Sequence, residues 1–314
     1  MTDTERLDIL KRTALRVIEN CTFTRECGYF GKTAKTRVLV PAGDDKYPSF
    51  WVRDTAMMAE SGLIAPKDLK NYILITARHG VNTGGGIELE NGLYVPPYAV
   101  ADHVNYDAKP VFYPGTYSST NNQGTGLYGV LPPLCDNYMF VIMTCRYILD
   151  TGDRSILDAN MLELLANVWN AYCVDGDTGL CCCTSERRAV DWGFCDAIIK
   201  TGSLLFPSLL RIRAARLMAE VTGDAEWNKK ADFVSENIIP TFAERHSGML
   251  LSAFPSFSSS SNSFSISMRG KMALPFFTCS PCIMSNTKAS SQTTSAYHSP
   301  SCLRISVVVV CMKG

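Results

Sequence analysis

The chain lacks a net charge, a long apolar run and more than a few histidines. Its 314 residues include 30 basic and 30 acidic side chains, so nothing draws it generally to nucleic acid or to an anionic membrane. No segment approaches the roughly 20 consecutive apolar residues that span a bilayer. Residues 1–12 carry charges where a signal peptide has its apolar stretch. We therefore expect a cytoplasmic protein with neither nucleic acid nor membrane among its partners.

Acidic residues are also absent from the C-terminal part of the chain. Residues 251–314 contain no Asp or Glu and 17 Ser, whereas residues 1–250 hold all 30 acidic residues and 25 of the basic ones. A disordered tail is usually charged and poor in Phe, Val and Cys, but this one is rich in Phe and has four Cys. We predict one domain over residues 1–250, followed by a Ser-rich tail produced by a shifted reading frame or a retained intron near His246–Leu250. A genuine low-complexity extension is the alternative.

The 13 cysteines follow neither a disulfide framework nor a zinc-binding spacing. Cys181, Cys182 and Cys183 are consecutive, and neighbouring side chains of an extended segment point to opposite faces, so the three do not ligate one metal. Cys279 and Cys282 form a CxxC pair that has no second pair. We predict free thiols, no metal site and no cofactor.

Helical periodicity and capping signals divide residues 1–250 into seven helices. Thr2 and Glu5 match a capping box, Asp136 is expected to cap the fourth helix, and Pro207 fits the first turn of the sixth. Residues 28–50, rich in Gly, Pro and β-branched residues, are expected to form a loop. The periodic segments are 3–20, 53–62, 66–78, 138–149, 155–173, 207–221 and 225–239.

Long loops and short joints alternate between these helices. Residues 80–133 and 174–205 are turn-rich and too long for simple connections, which is typical of functional loops. The short joints contain Gly62, Gly152 and Gly223, and the last two repeat the sequence Thr-Gly-Asp. In such a joint Gly ends one helix in the left-handed conformation and Asp caps the next. Short joints at one end and long loops at the other indicate a ring of αα-hairpins, with the long loops on the ligand-binding face.

Three features resemble the six-hairpin glycosidases, the (α/α)6-toroid superfamily that includes glucoamylases, trehalases, debranching enzymes and α-rhamnosidases. Residues 47–58, YPSFWVRDTAMM, are similar to the aromatic-x-Arg-Asp pattern that opens the second helix of glucoamylase-like enzymes. Residues 190–194, VDWGF, with 201–202 and 205–220, resemble the loop before the sixth helix and that helix. The Thr-Gly-Asp joints are the third feature. The resemblance covers about residues 1–245 and implies an all-α chain, an (α/α)6 toroid of which the first half to two-thirds is present.

The resemblance also implies roles for individual residues. In glucoamylase-like enzymes the Arg and Asp of the first pattern bind sugar hydroxyls, which assigns that role to Arg53 and Asp54. The loop before the sixth helix carries the general acid, which assigns that role to Asp191. Trp51 and Trp192 are then expected to stack on the apolar face of a pyranose. An ordinary helix start, with Asp54 at the positive end of the helix dipole, is the alternative for the Arg-Asp pair.

Two carboxyl groups are candidates for the proton donor. Asp191 lies between two apolar side chains, a setting that raises a carboxyl pKa and keeps the proton available. Glu186 is the alternative, although the two arginines that follow it would lower its pKa. Cleavage of a glycosidic bond also needs a second carboxylate, ~6.5–9.5 Å from the first when it activates water and closer when it attacks directly. No such residue is recognisable in the sequence.

The predicted function is that of a glycoside hydrolase-like protein of carbohydrate metabolism, acting on an oligosaccharide or a glycoconjugate. A disaccharide phosphorylase on the same toroid is one alternative, and a truncated, non-catalytic sugar-binding remnant is another. Sugar epimerases on a related toroid depend on paired histidines, and only three histidines precede residue 251. Enzymatic activity and oligomeric state are left open by the sequence, because the second carboxylate is missing and a half-ring would expose an apolar seam.

Overall fold

Eight α-helices account for about half of the described chain. The structure, a computed structural model, describes residues 1–41, 49–88, 92–112, 130–190, 199–243 and 253–254. The helices are α1 (Asp3–Asn20), α2 (Val52–Ala59), α3 (Pro66–Ile75), α4 (Leu134–Thr151), α5 (Ala159–Asn170), α6 (Leu205–Thr222), α7 (Glu226–Glu236) and α8 (Ile238–Phe242). A π-helical turn over Thr76–Gly80 continues α3. The seven predicted helices are confirmed, and the last of them is divided into α7 and α8.

Helix α1 begins at the predicted capping box. The Thr2 hydroxyl accepts a hydrogen bond from the Glu5 backbone N–H at 3.3 Å, and the Glu5 carboxylate accepts one from the Thr2 N–H at 2.7 Å. None of the α1 side chains is buried, and Leu7 and Leu10 are well exposed. Local capping therefore accounts for the start of α1 better than burial does.

Helices α2, α4 and α6 run in the same direction. The Tyr138 hydroxyl lies 3.2 Å from Arg211 Nη1, and Cys145 Sγ lies 3.6 Å from Met218 Sδ. These two pairs lie at matching distances from the starts of α4 and α6, so α4 and α6 are parallel. The start of α2 contacts the start of α4 through the Arg53 guanidinium.

The intervening helices run the opposite way and complete three antiparallel hairpins, α2–α3, α4–α5 and α6–α7. Near the start of α3, Lys70 Nζ donates a hydrogen bond to Asp153, just beyond the end of α4, at 2.8 Å. Near the end of α5, Trp169 Nε1 donates to the Arg211 carbonyl in the first half of α6 at 3.0 Å. The alternation agrees with the predicted series of αα-hairpins.

The end of the hairpins that holds the short joints is called here the turn end. Its three glycines have left-handed φ values of +67°, +71° and +73°, at Gly62, Gly152 and Gly223. Asp153 and Asp224 each accept a hydrogen bond from the backbone N–H two residues on, at 2.9 Å. The sequence predicts that Asp153 caps α5, and this is wrong. Helix α5 starts at Ala159, and its cap is Asp158.

Helix α4 lies in the middle of the core, as its nearly continuous apolar sequence predicts. Fourteen of its 18 residues are buried. Arg211 of α6 is also buried; its guanidinium lies 3.4 Å from the Trp169 ring centroid and donates to the Trp169 carbonyl at 2.8 Å. The Trp227 ring packs edge-on against Trp169, with centroids 5.3 Å apart. Both tryptophans are buried and pack between the helices.

Most of the short antiparallel strands occupy segments for which the sequence predicts loops. They are β1 (Thr22–Cys27), β2 (Ala34–Leu39), β3 (Ser49–Trp51), β4 (Ile87–Glu88), β5 (Tyr94–Val95), β6 (His103–Asn105), β7 (Pro110–Val111), β8 (Cys182–Cys183), β9 (Ala189–Val190), β10 (Ile199–Lys200), β11 (Gly202–Leu204) and β12 (Ala253–Phe254). The sheets are β1–β2, β3–β6–β7, β4–β5, β9–β10 and β8–β11–β12. The loop prediction for residues 28–50 is wrong at β2 and β3, and the all-α class is corrected to a mostly helical chain. Strands of two to six residues are too short to show reliable alternation.

Of the predicted tail, residues 251–314, only β12 belongs to the described residues. Its backbone pairs with β11, with Ala253 opposite Leu204 and Phe254 opposite Ser203. The rest of the tail lies outside the described residues, and the domain boundary at residue 250 stays a prediction.

A search of the described helices finds none with the length and apolar character needed to cross a membrane.

Candidate functional site

The predicted sugar-binding residues lie where β3 passes into α2. Trp51 is the last residue of β3, and Arg53 and Asp54 lie in the first turn of α2. The Trp51 ring stacks on the His103 ring of the neighbouring strand β6, with centroids 4.2 Å apart and an angle of 26° between the planes. The Trp51 side chain is partly exposed to solvent, and 14% of the Arg53 side-chain surface is exposed. This end of the hairpins, where α2, α4 and α6 begin, is called here the loop end.

Arg53 lies among buried acidic groups. Its Nη2 is 3.6 Å from Asp102 Oδ1, and its Nη1 is 4.0 Å from the Cys135 sulfur. The Cys135 thiol in turn lies 3.7 Å from Asp136 Oδ1. We call Arg53, Asp102 and Asp136 the Arg53 cluster. The starts of α2 and α4, together with the residue before β6, thereby bring one cation and two carboxyl groups together.

Asp136 is completely buried, and burial raises its pKa well above the ordinary value. The charge of Arg53 acts in the opposite direction, whereas Asp102 and Asp54 raise the pKa further. Within the described residues, Asp136 Oδ2 and Asp102 Oδ1 have no hydrogen-bond partner. Ionisation of both carboxyl groups would therefore leave one negative charge that the single guanidinium does not neutralise, which is costly in a buried place.

The backbone around Asp102 fixes its position against α2. The Asp102 carbonyl accepts a hydrogen bond from the Val52 N–H at 3.1 Å, and the Asp102 N–H donates to the Val111 carbonyl at 3.0 Å. The side-chain Oδ2 of Asp102 lies 2.9 Å from His103 Nδ1. Asp102 thus links the stacked Trp51–His103 rings to Arg53.

Asn137 fastens the segment before Asp102 to α4. Its Oδ1 accepts a hydrogen bond from the Val100 N–H at 2.7 Å, and its Nδ2 donates to the carbonyls of Tyr98 at 2.9 Å and Val168 at 2.8 Å. The side chain is fully buried. A buried amide with three hydrogen bonds specifies one arrangement of the loop over the helix start.

Glu186 is exposed and accepts a hydrogen bond from the Ser185 hydroxyl. Hydrogen bonds from Ser185, from its own backbone and from Thr184 lower the Glu186 pKa. The direction agrees with the sequence analysis, but the cause is hydrogen bonding and not the neighbouring arginines. Of these, Arg187 stacks over the Tyr94 ring at 4.2 Å from its centroid. A carboxyl with a lowered pKa is a poor proton donor at neutral pH.

Asp191 and Trp192 lie outside the described residues, but the chain on both sides of them is described. Before the gap, Ala189 forms a parallel bridge with Leu131, and the Arg188 carbonyl accepts backbone hydrogen bonds from Val130 at 2.8 Å and Leu131 at 3.0 Å. After the gap, β10 pairs with β9. Leu131 precedes the start of α4 by three residues. The base of the loop that carries Asp191 is therefore attached beside the helix start that holds Asp136.

Sequence reasoning missed Asp102, His103 and Asn137 and assigned Asp136 to helix capping. The cap position of α4 is occupied by Pro133, and Asp136 lies in the first turn and turns inward. An Asp followed by an Asn in front of a continuous apolar run was the available signal, since a polar pair has no reason to start a fully buried helix. No three His, Cys, Asp or Glu side chains in the described ranges are arranged to hold a metal ion.

No family model and no curated protein matches this chain. Similar solved structures include a family 76 glycoside hydrolase, an α-mannanase from Bacteroides thetaiotaomicron in a selenomethionine derivative, at 14% identity and a TM-score of 0.48, over 79% of this chain and 59% of that chain. A family 76 glycoside hydrolase from a bovine strain of the same species has 14% identity and a TM-score of 0.44, over 78% of this chain and 45% of that chain. A family 76 mannosidase from strain VPI-5482 has 11% identity and a TM-score of 0.43, over 80% and 59%. This chain spans between 45% and 59% of the length of these three structures. At such identities and TM-scores it is assigned to no family.

Proposed function

We propose that this chain is glycoside hydrolase-like, with a sugar bound at the start of α2 and the glycosidic bond cleaved by acid catalysis. The proposal is carried by Arg53, whose guanidinium is held beside two buried carboxyl groups and two residues after a partly exposed tryptophan. A planar guanidinium offers five donors to hydroxyl oxygens, and an indole ring offers a flat apolar surface. A carbohydrate is the ligand class that presents both kinds of surface.

In this proposal Trp51, Arg53 and Asp54 bind the sugar, while Asp102 and Asp136 position the guanidinium. Asp136 is fully buried, so its role is exerted through Arg53 and not by contact with the substrate. Burial of these carboxyl groups costs stability, and in this proposal they are kept because they fix the orientation of the guanidinium.

The general acid is proposed to be Asp191, with Trp192 against the sugar ring. The pairing of Arg188 and Ala189 with residues 130–131 supports this assignment, because it holds the chain just before Asp191 three to four residues ahead of α4. Glu186 is the weaker candidate, since its lowered pKa favours the carboxylate form. A carboxylate of that kind suits a base better than an acid.

No described carboxylate is assigned as the second reacting group, and we propose that a shift of reading frame near residues 246–250 accounts for this. Sequencing of the transcript across codons 240–314 tests the idea. An alternative frame that encodes charged amphipathic helices, with an Asp or Glu in a late long loop, supports it. A frame that reads as the present sequence contradicts it.

The binding proposal is tested with the full chain and a panel of neutral oligosaccharides, by glycan array followed by calorimetry on the strongest ligand. Arg53→Lys keeps the charge but loses the fork of donors, and we expect it to weaken binding by roughly 10- to 100-fold, equal to about 1.4–2.7 kcal/mol. Arg146→Lys is the matched control, because Arg146 forms an exposed ion pair with Asp150. Equal effects of the two substitutions, or no binding by the parent chain, contradict the proposal.

Hydrolysis is tested separately, by release of reducing ends from the ligand that binds. Asp191→Asn is expected to abolish release and to leave sugar binding unchanged. Unchanged release assigns the acid elsewhere, and Glu186→Gln is then the next variant. Binding without any release by the parent chain identifies a sugar-binding protein and rejects the catalytic part of the proposal.

A further inference from the structure

Two cysteines outside the Arg53 cluster lie close together. Cys173 follows α5 and is exposed, and Cys182 begins β8 and is partly buried. Their sulfur atoms are 3.5 Å apart, and both are free thiols. A direct contact between two sulfur atoms singles this pair out for sulfur chemistry.

The backbone on which the two cysteines sit is arranged for a covalent bond. Val174 and Cys181 form an antiparallel bridge, and the Cys182 N–H donates to the Cys173 carbonyl at 3.2 Å. Opposite residues that share such a hydrogen bond have Cα atoms about 5.5 Å apart, which lies within the range of disulfides. No large backbone movement is therefore needed to join the sulfurs.

A tight turn holds these two segments in place. The Asp175 N–H donates to the Leu180 carbonyl at 2.9 Å, and the Gly179 N–H donates to the Asp175 carbonyl at 2.7 Å. Gly179 has a φ of +69°, and a Cβ there would lie 2.9 Å from the Phe233 ring. Only glycine fits this position without displacement of Phe233, so the turn and the distance between Cys173 and Cys182 are set together.

The two thiols differ in their access to a reagent. Burial, together with the hydrogen bond to Cys173, raises the pKa of Cys182 far above the ordinary value. Cys173 is exposed to solvent and is the sulfur that a dissolved reagent reaches first. The next cysteines along the chain, Cys181 and Cys183, are buried. An ordered reaction follows, with Cys173 first and Cys182 second.

We propose that Cys173 and Cys182 form a reversible disulfide, with a small-molecule disulfide such as glutathione disulfide as the oxidant. The Cys173 thiolate attacks one sulfur of the reagent, which forms a mixed disulfide and releases one glutathione. The Cys182 thiol then loses its proton and attacks the Cys173 sulfur, which forms the protein disulfide and releases the second glutathione. Two electrons pass from the protein to the reagent, and the two thiol protons leave with the released thiols.

The disulfide would tie the end of α5 to a strand that supports the loop end. Cys182 pairs across β8 with Ser203 of β11, which leads directly into α6. The loop that contains Glu186 leaves from the other end of β8 and leads into β9, which directly precedes Asp191. The redox state of this one pair would therefore set the rigidity of the strand from which that loop departs.

The test uses the full chain, reduced and then exposed to excess glutathione disulfide without oxygen. Free thiols are blocked, and the protein is cut before aspartates, which places Cys173 in residues 158–174 and Cys182 in residues 177–190. We expect these two peptides to be joined, lighter than their sum by the two thiol hydrogens, and to separate on reduction. Accumulation of glutathione on Cys173 with no joined peptides overturns the proposal.

Variants identify the sulfur that takes part. Cys173→Ser and Cys182→Ser should each abolish the joined peptides, and Cys183→Ser, the matched change on the same strand, should leave them. Residues 158–174 contain only Cys173, so Cys173→Ser is the negative control for the joined peptides. Joined peptides that persist in Cys182→Ser, or that are lost in Cys183→Ser, overturn the assignment. If Cys182→Ser fails to fold, fragmentation of the joined peptides from the parent chain shows which of Cys181, Cys182 and Cys183 carries the bond, and a bond at Cys181 or Cys183 overturns the assignment.

Discussion

The turn end and the loop end of the hairpins shift the pKa of an aspartate in opposite directions. At the turn end, Asp153 accepts hydrogen bonds from Lys70 at 2.8 Å, Ser155 at 2.9 Å and Tyr147 at 2.6 Å, and these lower its pKa. At the loop end, burial raises the pKa of Asp136 well above the ordinary value. Ionisation therefore stabilises the fold at one end and destabilises it at the other.

This difference indicates which end is built for stability and which for chemistry. At the turn end, glycines with positive φ and satisfied aspartates obey the local rules of helix termination. The loop end departs from the general rule that buried charges are paired, since it holds two buried carboxyl groups and one guanidinium in the Arg53 cluster. Departures of that kind occur mostly where a protein binds or reacts.

Arg53→Leu should give the largest effect, because it removes the cation from the Arg53 cluster. We expect a loss of about 3 kcal/mol in the free energy of unfolding, measured with urea at pH 7. Asp136→Asn in the same chain should restore part of the loss. Arg213→Leu is the control: Arg213 pairs with Glu60 at 2.6 Å on a half-exposed surface, and its loss should cost no more than about 1 kcal/mol. Similar losses from both arginines would remove the distinction between the cluster and an ordinary ion pair.

Asp136→Asn alone should change the pH dependence of stability. A raised folded-state pKa means that the folded state binds the proton more tightly, so stability is lost as the pH rises from about 4 through the folded-state pKa. The asparagine variant lacks this loss and should gain on the parent chain across that window, by at most about 1.4 kcal/mol per pH unit. Urea unfolding between pH 4 and pH 9 measures it. A difference that does not vary with pH would show that the carboxyl is ionised in both states throughout.

Gly152→Ala tests how much backbone strain at the turn end lowers the stability of the fold. Gly152 has a φ of +71° and open space where a Cβ would lie, so the cost is limited to the backbone, about 1 kcal/mol. Gly176→Ala is the matched control, since Gly176 has the same open space without a positive φ. Thermal unfolding of both variants should show a lower midpoint only for the first. A lowered midpoint in both would point to a cause other than φ.

Asp153→Asn should give the smallest effect and the mirror image of Asp136→Asn. The lowered pKa of Asp153 means that its contribution is present above about pH 4, the unfolded-state value, and is lost as the pH falls through the folded-state pKa. We expect a slightly lower unfolding midpoint at pH 7 and no difference in strong acid. Lys70→Met, which removes the first of the hydrogen-bond donors, should reproduce the neutral-pH result. If Asp153→Asn instead became more stable than the parent chain as the pH rises, the contrast between Asp153 and Asp136 would be contradicted.

The helices were predictable because their signals are local. The capping box at Thr2, the glycines at 152 and 223 and the apolar run of α4 all lie within a few residues of the structure that they specify. The strands were missed because β3 and β6 contribute three residues each, and their pairing joins segments more than 50 residues apart. A pairing of that kind depends on the whole fold and leaves no periodic pattern.

Only half of the candidate site could be found from the sequence. Trp51 and Arg53 were singled out because the pattern around them is contiguous. Asp102 and Asp136 belong to the same site only because two helix starts and a strand meet, which no spacing along the chain reveals. The pKa of Asp136 is a further case, since burial sets it and burial is a property of the folded chain.

Strands β9 and β10, which flank residues 191–198, are paired through their backbones. Ala189 and Val190 are bonded to Lys200 and Ile199, and Ala189 is also bridged to Leu131. Backbone hydrogen bonds do not depend on side-chain identity, so the residues between these two strands can change in sequence or in number while the helices stay as they are. Substitutions, insertions or deletions between β9 and β10, whether natural or designed, can therefore change the ligand specificity without changing the helical scaffold.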